Sequence, residues 1–191
     1  TLKALALHTA DDNGITGPDA IWGWGLLNAK KIAETITDRG LFAEIKELEL
    51  ADGGTYTFTV KADGTNPLIA SINWTDVPGT INGGTANDAT AILVNDLALR
   101  VSNASDTFLP WKLTGVNTNE KADNVVDPYE RVDVGVGSGE YTITVTHKGT
   151  LTNGSQKFSL VVTGIVSDYT FSSTDTDVEA CKSGTAQFDF D

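Results

Sequence analysis

The chain has 191 residues, 40% of them hydrophobic, and a mean hydropathy of −0.11, values typical of a soluble globular protein with a buried core. Its formal net charge is −13, and its 13 basic residues are scattered, which argues against nucleic acid and anionic membrane surfaces as partners. No run approaches the roughly 20 apolar residues that span a bilayer, so we expect no membrane span. The single cysteine, Cys181, excludes an internal disulfide framework and thiolate zinc sites.

Two helices are predicted in the first 40 residues. Apolar residues fill the helical register of residues 1–9, and a second stripe of Leu26, Ala29, Ala33 and Ile36 predicts a helix over about residues 25–36. The Asp, Asn, Gly and Pro residues between them predict a loop. Because a short helix gains most of its stability from packing, these two helices need a larger body to pack on.

After Gly40 the hydrophobic period changes from helical to two. Alternation over 56–60, 68–74, 91–101, 131–136, 140–147 and 157–165 contributes to a prediction of seven or eight short strands separated by glycine-rich turns. No helix intervenes, which predicts a mainly β fold, an antiparallel β-sandwich or jelly roll preceded by two helices. The polar run 114–127 is predicted to be an edge loop. New strand-like alternation in 168–191 predicts the start of a further β-domain.

Residues 1–36 resemble the C-terminal end of the catalytic domain of subtilisin-like (subtilase) serine proteases. In that family the helix of the nucleophilic serine is followed by a helix, the motifs HTADD and GPD, a Gly-Trp-Gly turn and an Asn-Ala helix. The matching residues here are His8, Thr9, Ala10, Asp11, Asp12, Gly17, Pro18, Asp19, Gly23, Trp24, Gly25, Asn28 and Ala29.

The β part is similar to the P-domain-like jelly roll that follows the protease in some secreted members of that family. The similarity lies in LVNDL (93–97), PWKL (110–113), DNVVDPYERVDV (123–134) and a GEYTITV strand. The chain departs from the pattern at Ala98, where the family often has Asp, and at Pro128-Tyr129, where it often has Asn-Val. Residues 168–191, around Cys181, resemble the opening of an immunoglobulin-like repeat of multidomain secreted bacterial proteins.

The resemblance implies three parts of one secreted endopeptidase. Residues 1–42 would be the last helices of the catalytic domain, 43–167 a non-catalytic jelly roll that stabilises it, and 168–191 the start of an immunoglobulin-like module. The implied partners are the upstream protease domain of the same chain and the protein or peptide substrates of the parent enzyme.

The sequence does not predict catalysis by this chain alone. A serine protease needs a nucleophile, a base and a group that orients the base, and the family's Gly-Thr-Ser, Asp and His motifs are absent from the sequence. His8 falls on the apolar helix, which favours a structural histidine. His147 ends a strand and is predicted to lie at the rim of the fold.

A calcium site is predicted at one end of the sandwich. Calcium takes about six to eight oxygen ligands, and oxygen-bearing side chains crowd two segments that adjoin predicted strands. Those side chains are Asp96, Asp123, Asn124, Asp127 and Glu130. The alternative interpretation is that they end strands and form Asx turns, and Ala98 removes one acid from the set. The oxygen-rich loop of Asp11, Asp12, Asn13 and Asp19 lacks calcium-loop spacing and is predicted to be a turn.

An alternative function is a glycan- or matrix-binding β-sandwich. That hypothesis involves Trp111 and the 114–127 segment. Trp22 and Trp24 lie between glycines and two apolar helices, and Trp74 ends an alternating strand, so these three are predicted to be packing residues.

Overall fold

The computed structural model describes residues 1–81, 83–86 and 90–167. Two helices come first, and strands follow. The helices are α1 (Leu2–His8) and α2 (Ala29–Thr37), and the strands are β1 (Ala43–Ala51), β2 (Tyr56–Trp74), β3 (Asp96–Ser102), β4 (Thr107–Phe108), β5 (Trp111–Gly115), β6 (Thr118–Lys121), β7 (Tyr129–Lys148), β8 (Ser155–Thr163) and β9 (Ile165–Val166). The predicted module at 168–191, with Cys181, lies outside the described residues.

The strands pair antiparallel throughout, in the order β1-β8-β2-β7-β3-β4, with β9 on β2 and β5-β6 as a separate hairpin. The two long strands, β2 and β7, contain 19 and 20 residues. Their register shifts between Asp63 and Pro67, and such irregularities bend a strand pair and increase its twist. The sheet therefore folds over onto itself, which confirms the predicted mainly β sandwich preceded by two helices.

The main core lies between the two halves of the folded sheet. Fully buried side chains from both halves share one cluster, among them Ile72 and Leu160 from one half and Leu99, Ile143 and Val145 from the other. Burial of such side chains contributes about 1.5–3 kcal/mol each. This core supplies the main driving force for folding.

A second, smaller core joins the helices to the outer face of the sheet. Ala4 and Leu5 of α1 pack against Ile45 of β1 and Val161 of β8. Val161 points away from the main core because neighbouring side chains in a strand alternate between faces. Among the described residues, neither helix has the length and apolarity needed to cross a bilayer.

The predicted start of the second helix, near Gly25, is wrong by about one turn. The backbones of Leu26 and Asp11 form two hydrogen bonds with each other. Each amide donates to the other residue's carbonyl oxygen at 2.8 Å. The helix begins only after Asn28, whose side chain accepts a hydrogen bond from the Lys31 amide at 2.9 Å. Asn28 is therefore an N-cap, the position at which asparagine is strongly favoured.

Several predicted strand boundaries are also wrong. Segments predicted as separate strands join into β2 and β7, because the glycines between them, such as Gly64 at φ +76° and Gly139 at φ +85°, lie within long bent strands. β3 starts at Asp96 and not at residue 91. The predicted edge loop at 114–127 instead contributes to the β5-β6 hairpin, and β1 was not predicted from its alternation.

Candidate functional site: a carboxylate cluster and the seam between helices and sandwich

Glu130 is one of the five residues predicted to bind calcium. Its side chain is fully buried, and its Oε2 accepts a hydrogen bond from the Leu99 amide of β3 at 2.5 Å. The glutamate therefore links the start of β7 to β3, which pairs with the other end of β7. The other oxygen, Oε1, is buried without a hydrogen-bond partner, which is costly for a carboxylate.

Asp96 is the first residue of β3 and lies in register with Lys148, the last residue of β7. Its Oδ2 is 3.6 Å from the Lys148 Nζ, and its Oδ1 is buried without a hydrogen-bond partner. Burial raises the pKa of Asp96, and the Lys148 ammonium opposes that shift. Asp96 also adds to the shift in the pKa of Glu130, so the two carboxylate oxygens without partners belong to electrostatically coupled residues.

Asp123 contacts two basic residues, and one of them, Lys148, also lies beside Asp96. It forms an ion pair with Arg100, and its Oδ2 lies 3.6 Å from the Lys148 Nζ. The segment therefore reaches β3 and the end of β7.

Asn124 and Asp127 follow the alternative interpretation. The Oδ1 of buried Asn124 accepts hydrogen bonds from the amides of Val126 and Asp127 at 3.0 and 3.2 Å, and its Nδ2 donates to the Asp127 carboxylate at 3.0 Å. These contacts form an Asx turn that orders the loop. The side-chain amide of Asn124 and the carboxylate of Asp127 are therefore bonded to each other.

The carboxylate cluster is defined as Asp96, Asp123 and Glu130 together with Arg100 and Lys148. Burial raises the pKa of Glu130 to about 8; the Leu99 amide, Arg100 and Lys148 oppose this shift, and Asp96 adds to it. Sequence reasoning missed both cations. The alternation of apolar residues in β3 and β7 does not predict how the two strands align. Only the observed strand pairing places Lys148 opposite Asp96.

The donor chemistry of the cluster suits calcium in part. The orphaned oxygens of Asp96 and Glu130 are hard ligands of the kind that calcium takes. Among the described residues there is no grouping of three or more His, Cys, Asp or Glu side chains arranged to hold a metal ion. Calcium would therefore need backbone, water or rearranged Asp123 oxygens beside these two.

His8 joins the helices to the sandwich. Its ring nitrogens lie 2.7 Å from the Ser71 Oγ of β2 and 3.0 Å from the Thr163 Oγ1 of β8. The contact with Ser71 resembles a nucleophile–base pair, but both residues are buried and the second partner is a threonine. Burial, with a smaller effect of Arg131, lowers the pKa of His8 to about 3. A base this weak and this enclosed is a structural histidine.

A cleft of about 880 Å³ follows the same seam between the helices and the sheet. Its two basic lining residues are paired, Lys31 with Asp11 and Arg131 with Asp133. The pairing with Lys31 and the hydrogen bond from Asn28 lower the pKa of Asp11. The cleft is thus a gap between two docked layers, and its two cations are already engaged by acids of this chain.

The β5-β6 hairpin forms hydrogen bonds with the loop between the helices. Asn119 donates from its Nδ2 to the carbonyl oxygens of Thr16 and Pro18, at 2.8 and 2.9 Å. A Cβ at Gly17, which has φ +85°, would lie 3.0 Å from the Trp111 ring, so glycine permits this close approach. The Trp111 Nε1 donates to Asp133 at 2.9 Å. Trp111, proposed for glycan binding in the alternative function, is engaged inside the chain.

The other tryptophans differ in their surroundings. Trp24 packs edge-on against Tyr129 with ring centroids 5.0 Å apart, and Trp74 is buried and donates to the Asn95 carbonyl at 2.9 Å. Trp22 stays 43% exposed, so its prediction as a packing residue is wrong in this structure. Asp19 accepts from the amides of Ile21 and Trp22, both at 2.7 Å, which is the predicted turn.

His147 lies where β7 approaches the turn after β1. Its Nε2 accepts a hydrogen bond from the Gly53 amide at 2.7 Å, and Nδ1 is buried without a hydrogen-bond partner. The side chain is largely buried, so it caps a turn at the end of the strand.

No family model and no curated protein matches this chain. Among solved structures, the chain is similar to Aeromonas hydrophila PliG, a periplasmic inhibitor of g-type lysozyme. The TM-score is 0.31 at 13% identity, over 65% of this chain and 87% of that one. At this level the likeness does not assign a function.

Proposed function

We propose that this chain is the C-terminal part of a secreted subtilisin-like serine endopeptidase. In this proposal residues 1–42 end the catalytic domain, and the sandwich of 43–167 is a non-catalytic accessory domain that docks on it and stabilises it. Proteolysis of protein or peptide substrates belongs to the parent chain.

One observation carries the proposal: residues 1–42 have two differently solvated faces. The inner face is seated on the sandwich through His8, Leu5 and Trp24. Elsewhere the segment exposes several large apolar side chains by 52–74%, which together are called the outer face, namely Leu2, Ile21, Leu26, Leu27 and Ile36. Apolar groups concentrated in this way on one short segment mark a surface that another body covers.

The contacts of the inner face support docking over loose tethering. α1 is bonded to β2 and β8 through His8, and the loop after it is held by Asn119. The link from α2 to β1 spans only residues 38–42, which is too short to act as a flexible spacer. A sandwich attached this firmly would restrain the end of the catalytic domain.

The first experiment is to determine the reading frame upstream of Thr1 and to treat its natural product with a fluorophosphonate probe for active serines. We expect a Gly-Thr-Ser motif in a helix just before Thr1, preceded by Asp and His motifs, and labelling at that serine. An upstream sequence without the motif, or a product that the probe does not label, would contradict the proposal.

The second experiment puts Leu27→Asp into two proteins, the 191-residue chain and the natural-length product. We expect a change within about 0.5 kcal/mol in the short chain, where Leu27 is exposed, and a loss of about 2–4 kcal/mol in the long one, where the aspartate would be buried. Lys30→Ala on the same segment is the matched control and should be neutral in both. Equal effects of Leu27→Asp in the two proteins would argue against a covered face.

We further propose that the carboxylate cluster binds one calcium ion. The orphaned oxygens of Asp96 and Glu130 support it, with Asp123 as the adjoining acid. Bound calcium would take oxygen ligands from both β3 and β7, and so would tie the two strands together. Titration of the chelator-treated chain with calcium by calorimetry should give binding that Glu130→Gln removes; absence of heat with the unmodified chain would refute the site.

A further inference from the structure

The Lys148 ammonium lies beside two carboxylates of the cluster but forms no close hydrogen bond with either. Its Nζ is 3.6 Å from Asp96 Oδ2 and 3.6 Å from Asp123 Oδ2, distances beyond those of a good hydrogen bond. That Nζ is buried and has no hydrogen-bond partner. The cation compensates charge in the cluster, but it is not locked in place by directed bonds.

Arg100, the second cation, is held differently. It donates from Nη1 to the Leu99 carbonyl at 2.7 Å and pairs with Asp123 through Nη2. A guanidinium with several directed partners is fixed. Lys148, by contrast, ends β7, and its long stem is 36% exposed, so the ammonium has a route to solvent.

The second observation that marks this place as a ligand site is the fully buried Glu130. Its Oε1 lacks a hydrogen-bond partner although its Oε2 is bonded to the Leu99 amide of β3. Orphaned carboxylate oxygens and an orphaned ammonium in one cluster are an unsatisfied arrangement. A divalent cation on the Asp96 carboxylate would lie close to the Lys148 ammonium, and like charges at such distances repel strongly in a partly buried site.

We propose that Lys148 is a built-in competitor for the cation site, so that calcium enters the carboxylate cluster by displacing the Lys148 ammonium from Asp96 and Asp123 into solvent. This inference rests on the proposed calcium site and names the residue that regulates it. Calcium and the Lys148 ammonium compete for the same place beside Asp96 and Asp123. The weaker the contacts of the lysine with these carboxylates, the higher the affinity for calcium.

The test compares calcium affinity in the full 191-residue chain and three variants by calorimetric titration. Lys148→Met keeps the length and apolar stem but removes the charge, and we expect it to bind calcium about ten-fold or more tightly, because a repelling charge is gone. Lys157→Met, an exposed lysine of β8 in register with Glu49, is the matched control and should bind like the unmodified chain. Lys148→Gln is a second variant should the methionine impair folding, which circular dichroism checks.

The outcomes separate the two proposals. Tighter binding in Lys148→Met with unchanged binding in Lys157→Met supports exchange. Unchanged or weaker binding in a folded Lys148 variant, while Glu130→Gln still loses calcium, overturns the role of Lys148 and leaves the calcium site standing. No calcium binding by the unmodified chain or by either Lys148 variant overturns both. A further readout is the lysine itself: reductive methylation of Lys148, followed by mass spectrometry, should increase when calcium is present, and no increase counts against displacement.

Discussion

The sandwich and the helical segment that precedes it satisfy their apolar residues in opposite ways. In the sandwich, Ile72, Leu99 and Leu160 are fully buried between the two halves of one folded sheet. In residues 1–42 the inner residues Ala4 and Leu5 are buried, while Leu2 and Leu27 remain about 70% exposed or more. A sheet folded on itself closes its own core, whereas a short helix pair covers only one side of itself.

This difference shows where a second body is needed and where it is not. The sandwich has a core of its own, as an independent domain requires. The helical segment depends on the sandwich for one face and leaves the other face open. Substitutions in the two regions should therefore differ sharply in their effect on stability, as four measurements would test.

The largest effect is expected from Ile72→Ala in the main core. The substitution leaves a cavity in a closely packed site and should cost about 2–5 kcal/mol in free energy of unfolding, measured by urea denaturation. Leu27→Ala, the matched aliphatic truncation on the open face, should change it by no more than about 0.5 kcal/mol. Similar losses for the two variants would break the distinction between a closed and an open region.

The next effect concerns His8, where the two regions meet. His8→Gln removes two buried side-chain contacts and should cost about 2 kcal/mol at neutral pH. The folded-state pKa of His8 is about 3, below its ordinary value of 6.5, so the neutral ring stabilises the fold fully above pH 6.5 and this stabilisation is lost as the pH falls towards 3. The unmodified chain should then lose up to about 1.4 kcal/mol per pH unit below 6.5 from this group.

The pH profile of His8→Gln separates this group from the carboxylates. Urea denaturation of both proteins from pH 7 to pH 4 should give curves that converge as the pH falls and cross at about pH 5, where the stability lost through His8 equals the roughly 2 kcal/mol cost of the substitution. Parallel curves would mean that His8 is not held as a neutral ring at the seam.

A smaller effect is expected at the β5-β6 hairpin. Asn119→Ala removes two hydrogen bonds to the loop carbonyls of Thr16 and Pro18, and should cost about 1 kcal/mol. Hydrogen exchange should quicken in residues 11–26, since that loop loses its grip on the sandwich. Glu120→Ala, on the same hairpin and in register with Lys112, is the control and should leave that exchange unchanged.

The smallest effect is expected at the exposed pair Lys30–Glu34 of α2, where the charged atoms are 3.4 Å apart and both side chains are more than half exposed. Lys30→Ala should cost at most about 0.5 kcal/mol, since solvent screens an i,i+4 pair of this kind. A loss above about 1 kcal/mol would show that the outer face of α2 is already packed in the isolated chain.

Much of the fold follows from local patterns. The alternation around Phe58 and Ile143 predicts half-buried strands, and the apolar register of Leu2 and Leu5 predicts α1. The predictions failed where a local signal competes with long-range pairing. Gly64 and Gly139 are typical of turns but lie inside long strands. Thr118 lies in a polar run that predicts a loop, yet it belongs to the β5-β6 hairpin, which bonds to the loop between the helices.

The candidate site divides in the same way. The sequence predicts that Asp96 and Glu130 are oxygen donors near strand ends, and the residues around His8 and Trp24 predict a helical segment that needs a larger body. Only the tertiary structure decides that Lys148 stands opposite Asp96, that Arg100 pairs with Asp123, and that Asn124 and Asp127 bond to each other. The physical reason is that periodicity reports which face a side chain occupies, whereas strand register and sheet folding, set by the whole core, decide which charges meet.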